Sequence, residues 1–258
     1  MATYYSVIQA GTTINLMDSS GTVTALTIPG TGASEPEFKV DSGVIPRFAI
    51  FGRYIVMVNS TDRPITIGPD GVLRLLTPQP PRFPAVLSGV AGGALSGTYK
   101  VKQTFLVNDN AGNLIAESDF GPAQSAGVAI VSNYLKAASL DIATDTVSAS
   151  RLYRTATLGS TYFNWVDTDS ATQTEAQDDS TDASLSLLAA PTLGTAPPLY
   201  LIAEYRGRLF GVSKTDIDTL RWTEAGTMYA WGANNTVIIP RPGQDYRGVT
   251  ALIPRREA

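Results

Sequence analysis

The chain has 258 residues, of which 43% are hydrophobic and 16% charged, and its formal net charge is −4. That length suits one large or two modest domains, and the negative balance argues against a large nucleic-acid footprint. It contains no cysteine and no histidine, which removes disulfides, thiolate and imidazole metal ligands, and the Ser-His-Asp triad.

Carboxylate chemistry is the only catalysis left open, so a non-enzyme is expected, with no cofactor and no metal. The 23 glycines and 16 prolines, scattered among short apolar runs, favour many turns and an all-β class. No apolar run approaches the ~20 residues of a membrane-spanning helix. The amino terminus has neither the basic nor the apolar region of a signal peptide. A reducing cytosol is the expected place of folding.

Residues 1–80 read as a meander of short strands. Strands are expected over 4–10, 13–17 and 22–28, with a turn at Asp18-Ser19-Ser20-Gly21 and a break at residues 29–32. Residues 46–59, PRFAIFGRYIVMVN, read as a strand, a tight turn near Gly52-Arg53, and a strong strand from Tyr54 to Val58. Alternation there puts Tyr54, Val56 and Val58 on one face and Ile55 and Met57 on the other. Short strands follow over 65–67 and 72–76, around the turn Pro69-Asp70-Gly71. Such a meander suits propeller blades or an open barrel. Residues 77–84 then hold four prolines in eight positions, which read as a stiff linker and a domain boundary.

Residues 81–195 read as one inserted β unit. Its clearest strand is 96–107, SGTYKVKQTFLV. Tyr99, Val101, Phe105 and Val107 form one face, broken by Gln103; Lys100, Lys102, Thr104 and Leu106 form the other. That alternation predicts a half-buried strand. The turn-forming run 108–113 then returns the chain into a hairpin strand over 114–118. Further strands are expected at 127–131 and within 133–142, where Leu140-Asp141-Ile142 alternates. A second hairpin joins 151–155 to 162–166 through a turn at 158–160. About seven strands in ~100 residues is the count of an immunoglobulin-like or fibronectin type III-like sandwich. Residues 189–198 are a second proline-rich connector.

Residues 196–258 resume the meander. Residues 201–213, LIAEYRGRLFGVS, repeat the earlier pattern of strand, aromatic, Gly-Arg turn and strand, so Gly207-Arg208 matches Gly52-Arg53. Leu209 and Phe210 then take positions equivalent to those after Arg53. Short strands are expected at 220–222 and 236–239. The repeat predicts that 1–80 and 196–258 pack into one propeller-like body, with the sandwich inserted between its parts. The run to residue 258 shows no closing element, so other chains or a longer sequence are expected to complete the sheet.

Four constellations carry chemistry. The acidic run 167–182 holds Asp167, Asp169, Glu175, Asp178, Asp179 and Asp182, and no Lys or Arg occurs between Thr155 and Tyr205. A solvated loop is expected; a calcium site or a surface for a basic partner are the alternatives, although the EF-hand frame is missing. Glu204 and Glu224 could serve a glycosidase if they approach, or stand as surface charges. Tyr205, Arg206, Arg208, Arg221 and Trp222 form a candidate subunit interface; a sugar platform and a single-stranded nucleic-acid contact are alternatives. Residues 89–97 are glycine-rich but lack the lysine and helix of a phosphate loop. No catalytic, cofactor-binding or metal-binding residue is assigned.

The order of several short motifs carries a resemblance. They are GTTINL (11–16), RFAIFGRYIVMVN (47–59), LSGTYKV (95–101), AESDFGP (116–122), RLYRT (151–155), GSTYF (159–163), LIAEYRGRLFGV (201–212) and YAW (229–231). This series resembles virion structural proteins of tailed bacteriophages and prophages, in particular tail nozzle or tail-tube-terminal proteins. The resemblance implies a β-propeller-like body with an inserted fibronectin-like domain. It implies a homo-oligomeric ring in the virion tail, made in the host bacterial cytoplasm. Other head-to-tail or tail proteins would be its partners, and viral DNA would pass through without sequence-specific binding. It carries over no catalytic residue. Members of that family continue beyond the equivalent of Pro254. A host-surface carbohydrate-binding module is the alternative, and a carboxylate glycosidase the third reading.

Overall fold

A computed structural model describes residues 6–10, 13–26, 45–123, 126–143, 147–178, 180–185, 189–239 and 248–253. The start of the first expected strand, the Gly11-Thr12 corner, the break at 29–32, Asp179 and the last residues, 254–258, lie outside them. Among the described residues there are eighteen strands in five antiparallel sheets and a single 3-10 turn, so the chain is all-β. Among the described residues no sheet closes into a barrel, and no helix is long and apolar enough to cross a membrane.

The chain divides into two compact units. The first comprises Met1–Thr77, Asp109–Ala116 and Gly194–Ala258; the second comprises Pro78–Asn108 and Glu117–Leu193.

The first unit holds three up-and-down sheets. One is β1 (Ser6–Ala10), β2 (Thr13–Met17) and β3 (Val23–Ala25). The next is β4 (Arg47–Phe51), β5 (Tyr54–Val58), β6 (Ile65–Ile67) and β7 (Leu73–Leu75), paired in that order. The last is β15 (Leu199–Tyr205), β16 (Arg208–Ser213), β17 (Asp216–Trp222) and β18 (Thr236–Ile238). Ile14 and Leu16 of β2 pack on Met57, Ile65, Ile67, Leu73 and Leu75, so the first sheet covers one face of the second. The alternation expected of residues 54–58 does not separate a wet face from a dry one. Val56, Met57 and Val58 are all buried, because both faces of β5 are covered. Burying side chains of this size contributes about 1.5–3 kcal/mol each.

β15 lies alongside β4, and the Ser60 N–H donates to the Leu199 carbonyl at 2.8 Å. The repeat of the Gly-Arg pair is a repeat of hairpins, but shifted by one residue. In the first hairpin Phe51 pairs with Tyr54, so the loop is Gly52-Arg53. In the second Tyr205 pairs with Arg208, so the loop is Arg206-Gly207 and Arg208 already belongs to the strand. Gly52 has φ 59°, whereas Arg206 and Gly207 are both left-handed at φ 51° and 70°. Positive φ at both loop positions is the type I′ pattern that matches strand twist. The space a Cβ would occupy at Gly207 is open, its nearest neighbour being 3.8 Å away. Gly207→Ala should therefore cost only backbone strain, about 1 kcal/mol, and Gly207→Asn less. Urea denaturation of the two variants measures the difference.

Residues 109–116 also belong to the first unit. Asp109 accepts from Asn113 and Ala111 backbone amides at 2.8 and 2.9 Å, and from Arg53 and Tyr54 at 3.2 and 3.3 Å. Burial disfavours its charge, but the Asn113 side-chain amide, at 2.9 and 3.0 Å, with the two backbone amides and Tyr54, holds the carboxyl below its usual range. Asp70 is likewise held down to about 2 despite burial, by bidentate Arg74 and the amides of Asn110 and Val72.

The second unit is two sheets. β8 (Val86–Tyr99), β11 (Val128–Ala138) and β14 (Glu175–Asp178) form one, in the order β14-β11-β8. β9 (Val101–Asn108), β12 (Ala149–Thr155) and β13 (Tyr162–Asp167) belong to the other, a four-stranded sheet in the order β10-β9-β12-β13, of whose edge strand β10 (Leu114–Glu117) only Glu117 falls in this unit. Leu87, Leu95, Tyr99, Ile130 and Leu135 from the first sheet meet Val101, Leu152 and Trp165 from the second in one core.

The strand expected over 96–107 is two strands. Its first residues end β8, and Lys100 is the break before β9. Nor is it half-buried: Gln103, Thr104 and Leu106 are as buried as Phe105. Gln103 is accommodated because every polar atom is used. Its amide nitrogen donates to the Asp141 carbonyl and Ser150 hydroxyl at 2.8 and 2.9 Å, and its oxygen accepts from the Asp141 N–H at 3.0 Å. That clamp also explains why residues 140–142 are not a strand: the Asp141 backbone bonds a side chain instead of a ladder. The strands expected at 127–131 and after 133 are one strand, β11, with an irregularity between Ile130 and Asn133.

Candidate functional site

The register of β15 to β18 fixes which of the singled-out residues meet. Tyr205 stands opposite Arg208, Ala203 opposite Phe210, and Phe210 opposite Trp222. Alternation then places Tyr205, Arg208, Phe210 and Trp222 on one face. The Tyr205 and Phe210 rings are 6.5 Å apart and tilted by 54°; Phe210 and Trp222 are 6.3 Å apart and tilted by 36°. The Arg206 guanidinium, in the hairpin loop, lies 5.2 Å from the Tyr205 ring centre. The result is a half-buried aromatic row across three strands, rimmed by arginine.

Phe210 is the member that sequence reasoning left out of the cluster. Its signal was present, since it stands two residues from Arg208 on the same strand. Arg221 does not join the row. It is next to Trp222 on β17, so its side chain leaves from the other face, where it pairs with Asp216 at 3.1 Å. Arg208 donates to the Thr223 carbonyl at 2.8 Å and lies 3.8 Å from Glu224. Two of the three arginines thus already have carboxylate partners, which weakens the nucleic-acid alternative.

Glu204 and Glu224 each serve local structure. Glu204 accepts from the Gly207 N–H at 2.8 Å, closing the hairpin loop. Glu224 accepts from the Asn235 side chain at 2.9 Å.

The acidic run is a loop only in part, over residues 168–174. It contains β14 and the 3-10 turn Asp182–Ser184, and Asp167, Glu175 and Asp182 hold bases from elsewhere in the second unit. Asp167 takes Arg151 through two bonds, at 2.7 and 2.8 Å. Glu175 pairs with Lys136. Asp182 takes Arg154 at 2.7 Å and the Thr157 N–H at 2.8 Å. The lack of basic residues nearby in sequence hid these partners, because antiparallel pairing brings them from distant strands. Among the described residues no group of three or more acidic side chains gathers to hold a metal ion. The glycine-rich stretch 89–97 lies inside β8.

One polar centre gave no sequence signal. Glu117, at the end of β10, is 1% exposed. Its Oε1 accepts from Tyr153 at 2.6 Å and Thr104 at 2.7 Å, and its Oε2 from Arg151 at 3.3 Å. Burial raises its pKa, and the three donors only partly offset that. Burial and the neighbouring carboxylate push the Tyr153 phenol up as well. The Lys102 ammonium sits 4.7 Å from the Tyr162 ring centre and 5.1 Å from that of Phe120, which meets Tyr153 edge-on. These groups have one another as partners, which is the pattern of a structural network.

No family model matches the chain, and no curated protein matches it.

Proposed function

We propose that the chain is a non-enzymatic assembly protein, a ring-forming subunit of a bacteriophage tail conduit. The observation that carries this reading is the pair of four-stranded up-and-down sheets, β4–β7 and β15–β18, lying side by side in one unit. A four-stranded meander is the form of a propeller blade, and propellers typically close with about four to eight blades. With three meander sheets among the described residues, one of them three-stranded, neighbours would complete a ring. The aromatic row Tyr205–Phe210–Trp222 with Arg206 and Arg208 has the composition of an interface hot region. The second unit, with sheets of four and three strands, supports the fibronectin-like reading of the inserted part. The acidic balance suits a passage for DNA, which a strongly basic wall would retain.

Sedimentation and electron microscopy of the purified chain test this. Rings, weakened at least tenfold by Trp222→Ala, are the expected result; a protein that stays monomeric at every concentration sinks the reading. The aromatic row also favours a second reading, a carbohydrate-binding module. In that case the chain forms no rings and Trp222→Ala abolishes glycan-array binding instead.

A further inference from the structure

The sheets of the second unit end in four edges, and three of them are protected. β10 and β14 are four residues each, and β14 carries Glu175. The far edge of β13 meets Ala189 in a bridge with Phe163, and the Ala190 N–H donates to the Tyr162 carbonyl at 2.8 Å.

β8 is different. It runs fourteen residues, VLSGVAGGALSGTY, without a charge or a proline. Edge strands in soluble proteins are commonly kept apart by lysine, proline, bulges or shortness. The C-terminal end of β8 is in use: the Thr98 carbonyl accepts from Leu158 N–H at 3.2 Å, and that of Ser96 from the Thr157 hydroxyl at 3.4 Å. Gly92, at φ 105°, ends the straight part. Residues 86–91 pair with 133–138 on one side. On the other side no strand pairs with them among the described residues. Val86 is 57% exposed, and Ser88, Gly89 and Ala91 are exposed too.

We propose that residues 86–90 of β8 pair with the same residues of a second copy, antiparallel about a twofold axis at Ser88. The partner follows from the chemistry of the edge. A charge-free strand meets itself without like charges opposite, and it offers no counter-charge to select a charged partner. The alignment keeps the faces matched: Val86 stands opposite Val90 of the second copy, Leu87 opposite Gly89, and Ser88 opposite Ser88. Val86, Ser88 and Val90 then share the solvent face, while Leu87 stays in the core cluster. The three-stranded sheet becomes six-stranded, and small side chains face one another across the new ladder. This pairing does not rest on the ring reading.

The absence of native cysteine makes the test direct. Directly opposed residues in an antiparallel pair have Cα atoms about 4.5–5.5 Å apart, within the ~4.4–6.8 Å span of a disulfide. Ser88→Cys in the full chain should form a covalent dimer under mild oxidation, whereas Asn164→Cys on the exposed side of β13 should not. Ser88→Lys should lower self-association at least tenfold by sedimentation, and mixing it with Ser88→Glu should restore it. The Ser88→Cys cross-link should persist in a Trp222→Ala background, because β8 and β17 belong to different units. Cross-linking no better than that of Asn164→Cys overturns the proposal, as does undiminished association of Ser88→Lys. Absence of rings in the otherwise unsubstituted chain, with the Ser88→Cys cross-link intact, would sink the tail-subunit reading alone.

Discussion

Glu117→Ala is expected to destabilise the chain by about 3–5 kcal/mol, from the loss of a buried charge and its hydrogen bonds. The substitution leaves the Tyr153 phenol, 1% exposed, without its acceptor, and the Thr104 hydroxyl, 0% exposed, with only the Arg151 carbonyl at 3.5 Å. Arg151 keeps its two bonds to Asp167, so it is not left alone. For a chain of this length each kcal/mol shifts the melting temperature by about 2–4 °C, so thermal circular dichroism should record a drop near 10 °C. Replacing the whole network with apolar residues of similar shape (Thr104→Val, Glu117→Leu and Tyr153→Phe together) should recover most of it, since no donor then lacks a partner. A drop below about 1 kcal/mol for Glu117→Ala would show that water reaches the site.

The same residue has a pH signature of unusual sign. Its folded pKa lies above the ordinary carboxyl value, so the fold binds the proton more tightly than the unfolded chain does. The stabilising contribution is fully present below the unfolded value, about 4.3, and is lost as pH rises through the folded one. Wild type should therefore gain on Glu117→Gln as pH falls from 7 towards 4. Asp70 and Asp182 act in the opposite direction. Their folded values are depressed, so their contribution is present above the unfolded value and lost as pH falls through the folded one, at about 2 for Asp70. A difference between wild type and Glu117→Gln that stays flat from pH 7 to 4 would contradict the raised value.

Asp182→Ala is the second large expectation, at about 2–3 kcal/mol. It removes the carboxylate from Arg154, whose side chain is 0% exposed. Breaking a fully buried pair costs about 3–5 kcal/mol, and the lower figure reflects the solvent that reaches the Asp182 end. Arg154 would keep the Thr155 and Ser180 carbonyls and the Tyr99 ring at 5.1 Å, but no negative charge among these contacts. Asp182→Asn should fall between, because an amide oxygen can still accept from the Thr157 N–H. Asp169→Ala, at an exposed position of the same acidic run, should change stability by less than about 0.5 kcal/mol. Equal effects at 169 and 182 would mean that the run behaves as one solvated loop after all.

What the sequence by itself determined is local. Turn residues at 52–53, 69–71 and 109–113 end strands because few other residues accept their backbone angles. Alternation, composition and the lack of helix periods were enough for the all-β class. The hairpins at 151–167 and 199–213 could be read the same way, because each closes within a short stretch of chain. The tertiary structure decided what lies across a sheet or between strands far apart in sequence. Burial of Gln103 and Thr104 depends on the second sheet and on Asp141, Ser150 and Glu117. Alternation reports two faces but not whether both are covered. The acids of 167–182 looked solvated because their bases, Lys136, Arg151 and Arg154, arrive by antiparallel pairing from upstream. The one-residue offset between the Gly-Arg pairs was hidden because loop position follows strand register rather than motif identity. It is that register which puts Phe210 beside Tyr205 and Trp222 and sends Arg221 to the opposite face.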